Sequence, residues 1–289
     1  RPPYGKWDEG WRNREDTFRW RTPLMENEEI VELPVDQRTI TRRYTDKAVE
    51  WITAHKDQPF FVYLAHSMPH VPLFVPEDVY DPDPQKAYRI VIEHIDAEVG
   101  RVVRTVKELG LSGRTYIIFT SDNGPWLRMK HHGGQALPLR GGKGGTYEGG
   151  QRVPCVMWGP GRIPAATRTD ALTSTLDLLP TLAHLAGTEL HPRGPIDGLD
   201  ISGVIHGSDP SPRRELLYYT SQVEGLRQGD WKIRLRGGRE ELYHLADDIG
   251  ERTNLVKKFP EKFASLKARM QELDAQISRQ VRSLGEDPP

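Results

Sequence analysis

The chain has 289 residues, of which 36% are hydrophobic and 28% charged, as is typical of a globular protein with one large domain or a domain and a smaller unit. The 40 Lys and Arg against 41 Asp and Glu give a net charge of −1, which offers no electrostatic basis for binding nucleic acid or an anionic membrane. No segment approaches the roughly 18 apolar residues of a membrane span, and the single cysteine, Cys155, excludes an internal disulfide.

Helical and strand periodicities alternate along the first two thirds of the chain. Residues 1–21 show neither, and we expect a surface loop there. Runs that are apolar on both faces indicate central strands covered by helices, so the alternation predicts an α/β domain with a largely parallel sheet. The predicted elements are a helix at 36–55, a strand at 60–65, a helix at 85–109, strands at 115–120 and 153–158, and a helix at 175–186 kinked at Pro180.

The pattern changes beyond residue 194 to short strands joined by tight turns, such as Gln228-Gly229-Asp230. We therefore expect an α/β domain at residues 1–193, with its central sheet flanked by helices, and an α+β subdomain at residues 194–289. The predicted elements of this subdomain are antiparallel strands at 216–220, 225–226, 231–235 and 241–245 and a helix at 260–281.

Asp122 and Asn123 follow the apolar strand at residues 115–120 directly. Ligands of open α/β sheets bind outside the carboxyl ends of strands. A carboxylate beside a carboxamide oxygen suits a hard divalent cation such as Ca²⁺ or Mg²⁺, and Gly124 lets the backbone turn sharply. Asp-Asn-Gly is also a common turn sequence, so the spacing alone leaves a simple turn as the alternative.

A glycine-rich loop follows, in which Lys143 is flanked by Gly141-Gly142 and Gly144-Gly145. Such glycines allow close backbone approach to an oxyanion, and the ammonium group supplies charge. The spacing of a nucleotide-binding P-loop is absent. A flexible surface loop is the alternative interpretation.

Two histidines, His66 and His70, follow the predicted strand at residues 60–65. His70 stands next to Pro69, and its imidazole would suit proton donation to a leaving group or hydrogen bonding to an anion. We assign His66 a structural role. Because three polar elements follow buried segments of one predicted sheet, we expect them to converge on a single crevice of an oxyanion-handling hydrolase.

The combination of these motifs closely resembles the type I sulfatases of the alkaline phosphatase superfamily. The resemblance covers nearly the whole chain, in the order of the family. It rests on Phe119-Thr120-Ser121-Asp122-Asn123-Gly124, Arg140-Gly141-Gly142-Lys143, Thr146-Tyr147-Glu148-Gly149-Gly150, Arg152-Val153-Pro154, Gln228-Gly229-Asp230-Trp231-Lys232 and Glu241-Leu242-Tyr243.

The resemblance implies a sulfuric ester hydrolase and a role for each matching residue. Asp122 and Asn123 correspond to two ligands of a Ca²⁺ ion, with Mg²⁺ the less suitable alternative. Lys143 corresponds to the lysine that contacts the sulfate and the bridging oxygen. His70 corresponds to the histidine beside the leaving group. The substrate entrance is assigned to His132 and Arg140.

The nucleophile of the family is missing from the chain. It is a formylglycine made from Cys or Ser in Cys/Ser-x-Pro-x-Arg, whereas Cys155 is followed by Val156-Met157-Trp158 and Val71 stands where the Ser67 match needs Arg. We therefore expect a fragment whose formylglycine lies in an absent N-terminal part. Cys155 itself is expected in a buried strand.

Three hypotheses remain: part of a sulfatase, part of a phosphonate or phosphodiester hydrolase of the same superfamily, or a catalytically silent domain. The substrate implied for the first is a small sulfate ester or a sulfated glycan. Nucleic acid and membrane partners are not expected, whereas a companion N-terminal chain or a homo-oligomer is. The resemblance implies a periplasmic or secreted protein, and the fragment alone is expected to be inactive.

Overall fold

The computed structural model describes residues 22–192 and 194–281; the surface loop predicted at residues 1–21 lies outside them. The chain divides into two compact units. The first comprises residues up to Ile117 together with Trp126–Gly134, and the second comprises Ile118–Pro125 and the chain from Gln135 onward. The boundary predicted between residues 193 and 194 stays a prediction. Within the described residues, no helix is long and apolar enough to cross a membrane.

The first unit is built on two helices, α1 (Ile40–Ala54) and α2 (Ala87–Glu108), which confirms both helices predicted there. The apolar stripe of α2 is buried at Val91, Ile95 and Val106. The core that forms around it also takes in residues of the segment before α2, and its members are Met68, Leu73, Val75, Ala87, Val91 and Ile95. Burial of this stripe fixes the helix against the loop that carries His70.

A short hairpin precedes α1, formed by β1 (Leu24–Glu26) and β2 (Glu29–Glu32). Its strands are mostly exposed, so no apolar alternation marks them in the sequence. Asn27 turns the chain with a positive φ of 53°, a conformation that Asn tolerates better than most residues.

The strand predicted at residues 60–65 is not formed, because no described strand pairs with this segment. Its side chains alternate between exposed and half-buried. Phe61 is 68% exposed and Tyr63 is 83% exposed, so the segment presents large apolar side chains on one side.

In the second unit, β3 (Ile117–Thr120) pairs with β4 (Cys155–Trp158) in a two-stranded sheet. Both predicted strands are therefore confirmed, while the larger parallel sheet is not formed by the described residues. Burial of β4 was a wrong expectation, since Cys155 and Val156 are exposed. A run of apolar residues indicates a strand. Whether each face of that strand is buried depends on which other elements pack against it, and the run itself does not specify them.

The predicted kink at Pro180 does not occur. A 3-10 turn at Thr175–Asp177 precedes α4 (Leu178–Leu185), so Pro180 lies in the first turn of α4, where a backbone N–H has no helical partner to lose. The turn is capped reciprocally by Ser174 and Asp177. Asp177 is also paired with Arg213, which ties this turn to the start of the C-terminal sheet.

That sheet is antiparallel, in the order β5 (Glu215–Tyr219), β6 (Val223–Gln228), β7 (Trp231–Arg236) and β8 (Arg239–His244). It confirms the predicted strands, and α6 (Pro260–Arg279) confirms the last helix. Two shorter helices, α3 (Glu148–Gln151) and α5 (Ser202–His206), were not predicted. One face of the sheet packs on α6 through Leu226, Ile233, Leu242, Phe263, Leu266 and Met270.

Candidate active site

Asp122 and Asn123 lie in the loop immediately after β3, as the sequence predicts. The Asp122 carboxylate is exposed, and its Oδ1 accepts the backbone N–H of Asn123 at 2.9 Å. The Asn123 amide nitrogen donates to the Gly124 carbonyl at 3.1 Å, which leaves the amide oxygen available as a ligand. In the part of the chain that the structure describes, no basic side chain forms an ion pair with Asp122.

Gly124 explains how this loop meets the glycine-rich loop. Its N–H donates to the carbonyl of Gly150 at 3.1 Å. A Cβ at Gly124 would lie 1.8 Å from the Gly149 carbonyl oxygen, a distance that no side chain tolerates. The two backbones therefore pack in direct contact only because this residue is glycine.

Lys143 belongs to the glycine-rich loop, and its backbone contacts the loop after β3. Its N–H donates to the carbonyl of Pro125 at 2.9 Å. Gly141 and Gly144 on either side have φ of 77° and 79°, values that favour glycine. The Lys143 side chain is exposed. The structure thus brings Lys143 next to the Asp122-Asn123 loop.

Arg140 begins the glycine-rich loop and is anchored to the C-terminal sheet. Its Nη1 donates to the Glu251 carbonyl at 2.7 Å and to the Tyr243 hydroxyl at 3.3 Å. The guanidinium also lies 4.0 Å from the centre of the Tyr147 ring, whose other contact is the guanidinium of Arg234 at 4.0 Å. These contacts fix Arg140, and its predicted role at the substrate entrance stays a prediction.

His70 is exposed in the first unit, and its Nδ1 lies 2.7 Å from the Val71 carbonyl oxygen. The ring is tilted against Trp126, with 5.8 Å between ring centres. A ring nitrogen that hydrogen-bonds a carbonyl is protonated, which directs the other nitrogen, Nε2, outward as the atom available to a ligand.

His132 also lies in the first unit, but its ring is buried, at 1% exposure. Burial and the adjacent His131 lower the pKa of His132, while a hydrogen bond with the backbone of Pro84 opposes that shift. His66 is half-buried, and burial lowers its pKa as well. Both imidazoles are thus favoured in the neutral form at neutral pH.

The donor set for a metal ion is only partly present. Ca²⁺ takes about six to eight oxygen ligands, and the described residues contain no group of three or more His, Cys, Asp or Glu side chains arranged to bind a metal. Asp122 and Asn123 fit as two such ligands, since both offer oxygen atoms and no described basic side chain forms an ion pair with Asp122. A Ca²⁺ ion at this place would need further ligands from other residues.

Three buried charged residues close to the glycine-rich loop were given no role by the sequence prediction: Glu148, Lys232 and Glu251. Lys232 Nζ lies 2.8 Å from Glu148 Oε1 and 2.9 Å from Glu251 Oε1. Burial raises the pKa of Glu251, an effect that Lys232 opposes. Burial has the same effect on Glu148, but Lys232, Tyr218 and Arg227 outweigh it and lower the pKa of Glu148. The available signal was Lys232 in a strand, Trp231–Arg236, where basic and apolar residues alternate.

The sequence matches the family model described as "Sulfatase" over residues 3–188. It is 31% identical to rat arylsulfatase G over 291 aligned positions, which cover 88% of this chain and 55% of that protein. It is 35% identical to human arylsulfatase A, covering 81% of this chain and 53% of that protein. The chain spans about half the length of the curated relatives it matches.

Solved structures also match this chain. The crystal structure of Ps i-CgsB, also solved in complex with k-i-k-neocarrahexaose, matches with a TM-score of 0.78 and 27% identity over 93% of this chain and 61% of that chain. A phosphonate monoester hydrolase from Silicibacter pomeroyi matches with a TM-score of 0.62 and 17% identity, over 95% of this chain and 69% of that one; this likeness concerns the fold alone.

Proposed function

The chain belongs to the sulfatase family, and we propose that it forms part of an enzyme that hydrolyses sulfate esters and releases inorganic sulfate. The fold of these relatives is the alkaline phosphatase-like α/β fold. The observation that carries the proposal is the hydrogen bond from Lys143 N–H to the Pro125 carbonyl. This bond joins the backbone of Lys143 to the loop that carries Asp122 and Asn123. It supports a site in which a cationic side chain and oxygen ligands act on one sulfate ester.

Asp122 and Asn123 are proposed to bind Ca²⁺, with Mg²⁺ less suitable because it demands near-ideal octahedral geometry. When bound, the ion supplies Lewis acidity that polarises the sulfate oxygens. Formylglycine, the nucleophile of the family, is proposed to come from sequence outside this chain, since no Cys or Ser here is followed by x-Pro-x-Arg.

Lys143 is proposed to donate hydrogen bonds to a sulfate oxygen and to the bridging oxygen, which withdraws charge from the bond that breaks. His70 is proposed to act as the imidazolium, protonated on both ring nitrogens: it gives its Nε2 proton to the departing alkoxide and keeps the Nδ1 proton that faces the Val71 carbonyl. The remaining candidates, His132 and Arg140, are proposed to shape the substrate entrance. Arg140 would do so through its side chain, and the buried His132 by fixing its own loop.

We infer that the substrate is a small sulfate ester or a sulfated glycan and that the protein is periplasmic or secreted. A companion N-terminal chain or a second copy is proposed as partner. It would cover exposed apolar residues such as Phe61 and Tyr63 in the first unit and Val156 and Leu179 in the second.

The test uses the protein expressed from its complete gene, with Asp122→Ala compared with Asp170→Ala, an exposed acidic residue outside the site. Asp122→Ala is expected to weaken Ca²⁺ binding, measured by calorimetry, by about tenfold or more, as removal of a metal-binding contact does. Sulfate release should fall in parallel. Equal Ca²⁺ affinity in both variants would refute the proposed metal site.

A further inference from the structure

The C-terminal sheet has a second buried face, and it is polar. In β7, Lys232 and Arg234 lie two residues apart and so point to the same side, opposite Ile233. Cross-strand pairing places Tyr243 beside Lys232 and Glu241 beside Arg234. All of these polar side chains are at least nine-tenths buried: Tyr218, Lys232, Arg234, Glu241 and Tyr243.

The glycine-rich loop and α3 cover this polar face of the sheet. The Thr146 hydroxyl accepts from Arg234 Nε at 3.0 Å, and the Tyr147 hydroxyl donates to Glu241 at 2.9 Å. Glu148 accepts from the Tyr218 hydroxyl at 2.9 Å and from Lys232 at 2.8 Å. Three consecutive loop residues are therefore each bound to a different buried side chain of the sheet.

Lys232 lies at the centre of this contact. Its side chain is 0% exposed, and the two carboxylates that it contacts, Glu148 and Glu251, are 2% and 0% exposed. Glu251 Oε2 in turn accepts the backbone N–H of Glu148 at 2.7 Å. One ammonium group thus fixes both the side chain and, through Glu251, the backbone at the start of α3.

Backbone hydrogen bonds connect the active-site loops to that point. Gly149 N–H donates to the Arg140 carbonyl at 2.7 Å, and the Gly150 carbonyl accepts from Gly124 N–H at 3.1 Å. A Cβ at Gly149 would lie 2.5 Å from the Gly141 oxygen, and one at Gly150 would lie 2.3 Å from the Gly145 oxygen. Because these contacts leave no space, a shift of Glu148 would also move the glycine-rich loop and the Asp122-Asn123 loop.

A buried ion pair of this kind is a poor source of net stability, because desolvation offsets its Coulomb energy. The hydrogen bonds of Glu148 to Lys232, to Tyr218 and, through its N–H, to Glu251 instead fix a single arrangement, and Lys232 contacts Glu251 as an ion pair. We propose that Lys232 is a positioning residue for sulfate ester hydrolysis, holding Glu148 and Glu251 so that Lys143 and the Asp122-Asn123 loop keep their productive geometry. This inference rests on the proposed function.

The test compares Lys232→Met with the double variant Lys232→Met/Glu251→Gln in the protein expressed from its complete gene. The single variant leaves two buried carboxylates without their cation and is open to misfolding. The double variant removes one positive and one negative charge, so the cluster keeps its net charge. Lys267→Met is the matched control, because Lys267 on α6 forms an exposed pair with Glu240 of β8.

Two quantities are measured. Hydrogen exchange of the peptide covering residues 140–152 should be about tenfold faster in the double variant than in the control, because local opening becomes easier. With an aryl sulfate as substrate, kcat per folded molecule should fall by about a hundredfold, because a catalytic group misplaced by about 1 Å costs about that much. KM should change by less than about threefold.

A folded double variant with unchanged exchange at residues 140–152 overturns the proposal. So does a lower melting temperature with kcat per folded molecule unchanged, because that is the result of a purely structural role. If the wild-type protein hydrolyses no sulfate ester, the proposed function fails, while the exchange measurement still decides whether Lys232 positions these loops.

Discussion

Lys143 and Asp122 are exposed, whereas Lys232, Glu148 and Glu251 are among the most buried charged residues of the chain. An exposed ammonium or carboxylate keeps its hydration, at little cost to folding. A buried one must have its partners built around it. The two exposed residues are the ones proposed to meet the ligand, and the three buried ones are proposed to fix the loops.

Lys143→Ala should lower kcat/KM for a sulfate ester by about a hundredfold to a thousandfold, the usual loss when one donor to a developing oxyanion is removed. Stability should hardly change, because the side chain is exposed. Steady-state kinetics and thermal unfolding check both expectations, with Lys257→Ala as the control lysine. A similar loss in the control variant would count against a specific role for Lys143.

His70→Gln should lower kcat by about a hundredfold or more, as loss of a general acid does. The loss should be larger for an alkyl sulfate than for a nitrophenyl sulfate, because a good leaving group needs no proton. Kinetics with a series of leaving groups measures this, with His191→Gln as control. Equal losses across the series would exclude a proton-donating role.

At this scale the sequence was informative about exposed residues and less so about buried ones. Asp122, Asn123 and Lys143 lie in recognisable motifs, and the structure places their loops in contact. Glu148 and Glu251 lie 103 positions apart, and no local pattern indicates that one lysine joins them. Contacts between distant residues depend on the tertiary fold, which periodicity does not encode.

The glycine-rich loop and the C-terminal sheet form the structural unit that matters for the site. The loop has little apolar surface, so its conformation depends on glycine contacts and on hydrogen bonds to the sheet. The sheet is in turn fixed by its apolar face on α6. The order of the site thus depends on a sheet that contributes no residue to the proposed chemistry.

Gly149→Ala should destabilise the protein by about 1–3 kcal/mol, the usual cost of overpacking, because the new Cβ would meet the Arg140 and Gly141 carbonyl oxygens at 2.6 and 2.5 Å. Gly113→Ala is the control, since nothing lies within 4 Å of its added Cβ. Denaturant unfolding gives both values. Equal stability of the two variants would contradict the packing described for the loop.

The pair of Glu215 and Arg269 joins β5 to α6, with Arg269 Nη2 2.9 Å from Glu215 Oε2. Arg269 lowers the pKa of Glu215 from its usual 4.5. A carboxyl group whose pKa is lower in the folded state stabilises the fold at pH values above its pKa in the unfolded state. This stabilisation is lost as the pH falls through the pKa of the folded state.

Arg269→Met should therefore cost about 0.5–1 kcal/mol at pH 7, as expected for a partly exposed pair. The difference from wild type should shrink as the pH falls below about 4. Thermal unfolding at several pH values measures it, with Arg279→Met as the control on the same helix. A pH-independent difference would mean that packing, and not charge, links Arg269 to the sheet.

Elements with a strong periodic pattern were predicted well, and those that depend on a neighbour were not. The apolar stripes of α2 and α6 are buried along most of their length, but Ile277 near the end of α6 is 37% exposed. Residues 60–65 have strand composition, yet no described strand pairs with them. Pro180 was expected to kink a helix that in fact begins only two residues earlier. Composition determines propensity, whereas pairing and helix ends depend on the surroundings.

For the whole molecule, the sulfatase family and the alkaline phosphatase-like fold follow from a combination of motifs spread over the chain. The chain spans about half the length of its arylsulfatase relatives and carries part of the proposed ligand set. We expect the isolated chain to bind Ca²⁺ weakly and to show negligible turnover.

The central claim is sulfate ester hydrolysis, and the most direct test is a substrate comparison. The protein expressed from its complete gene, with formylglycine verified by mass spectrometry and Ca²⁺ supplied, is assayed for kcat/KM with a nitrophenyl sulfate, a phosphodiester and a phosphonate monoester. We expect a preference for the sulfate that is lost in Lys143→Ala. A higher kcat/KM for the phosphonate or the phosphodiester, or no turnover of any ester, would contradict it.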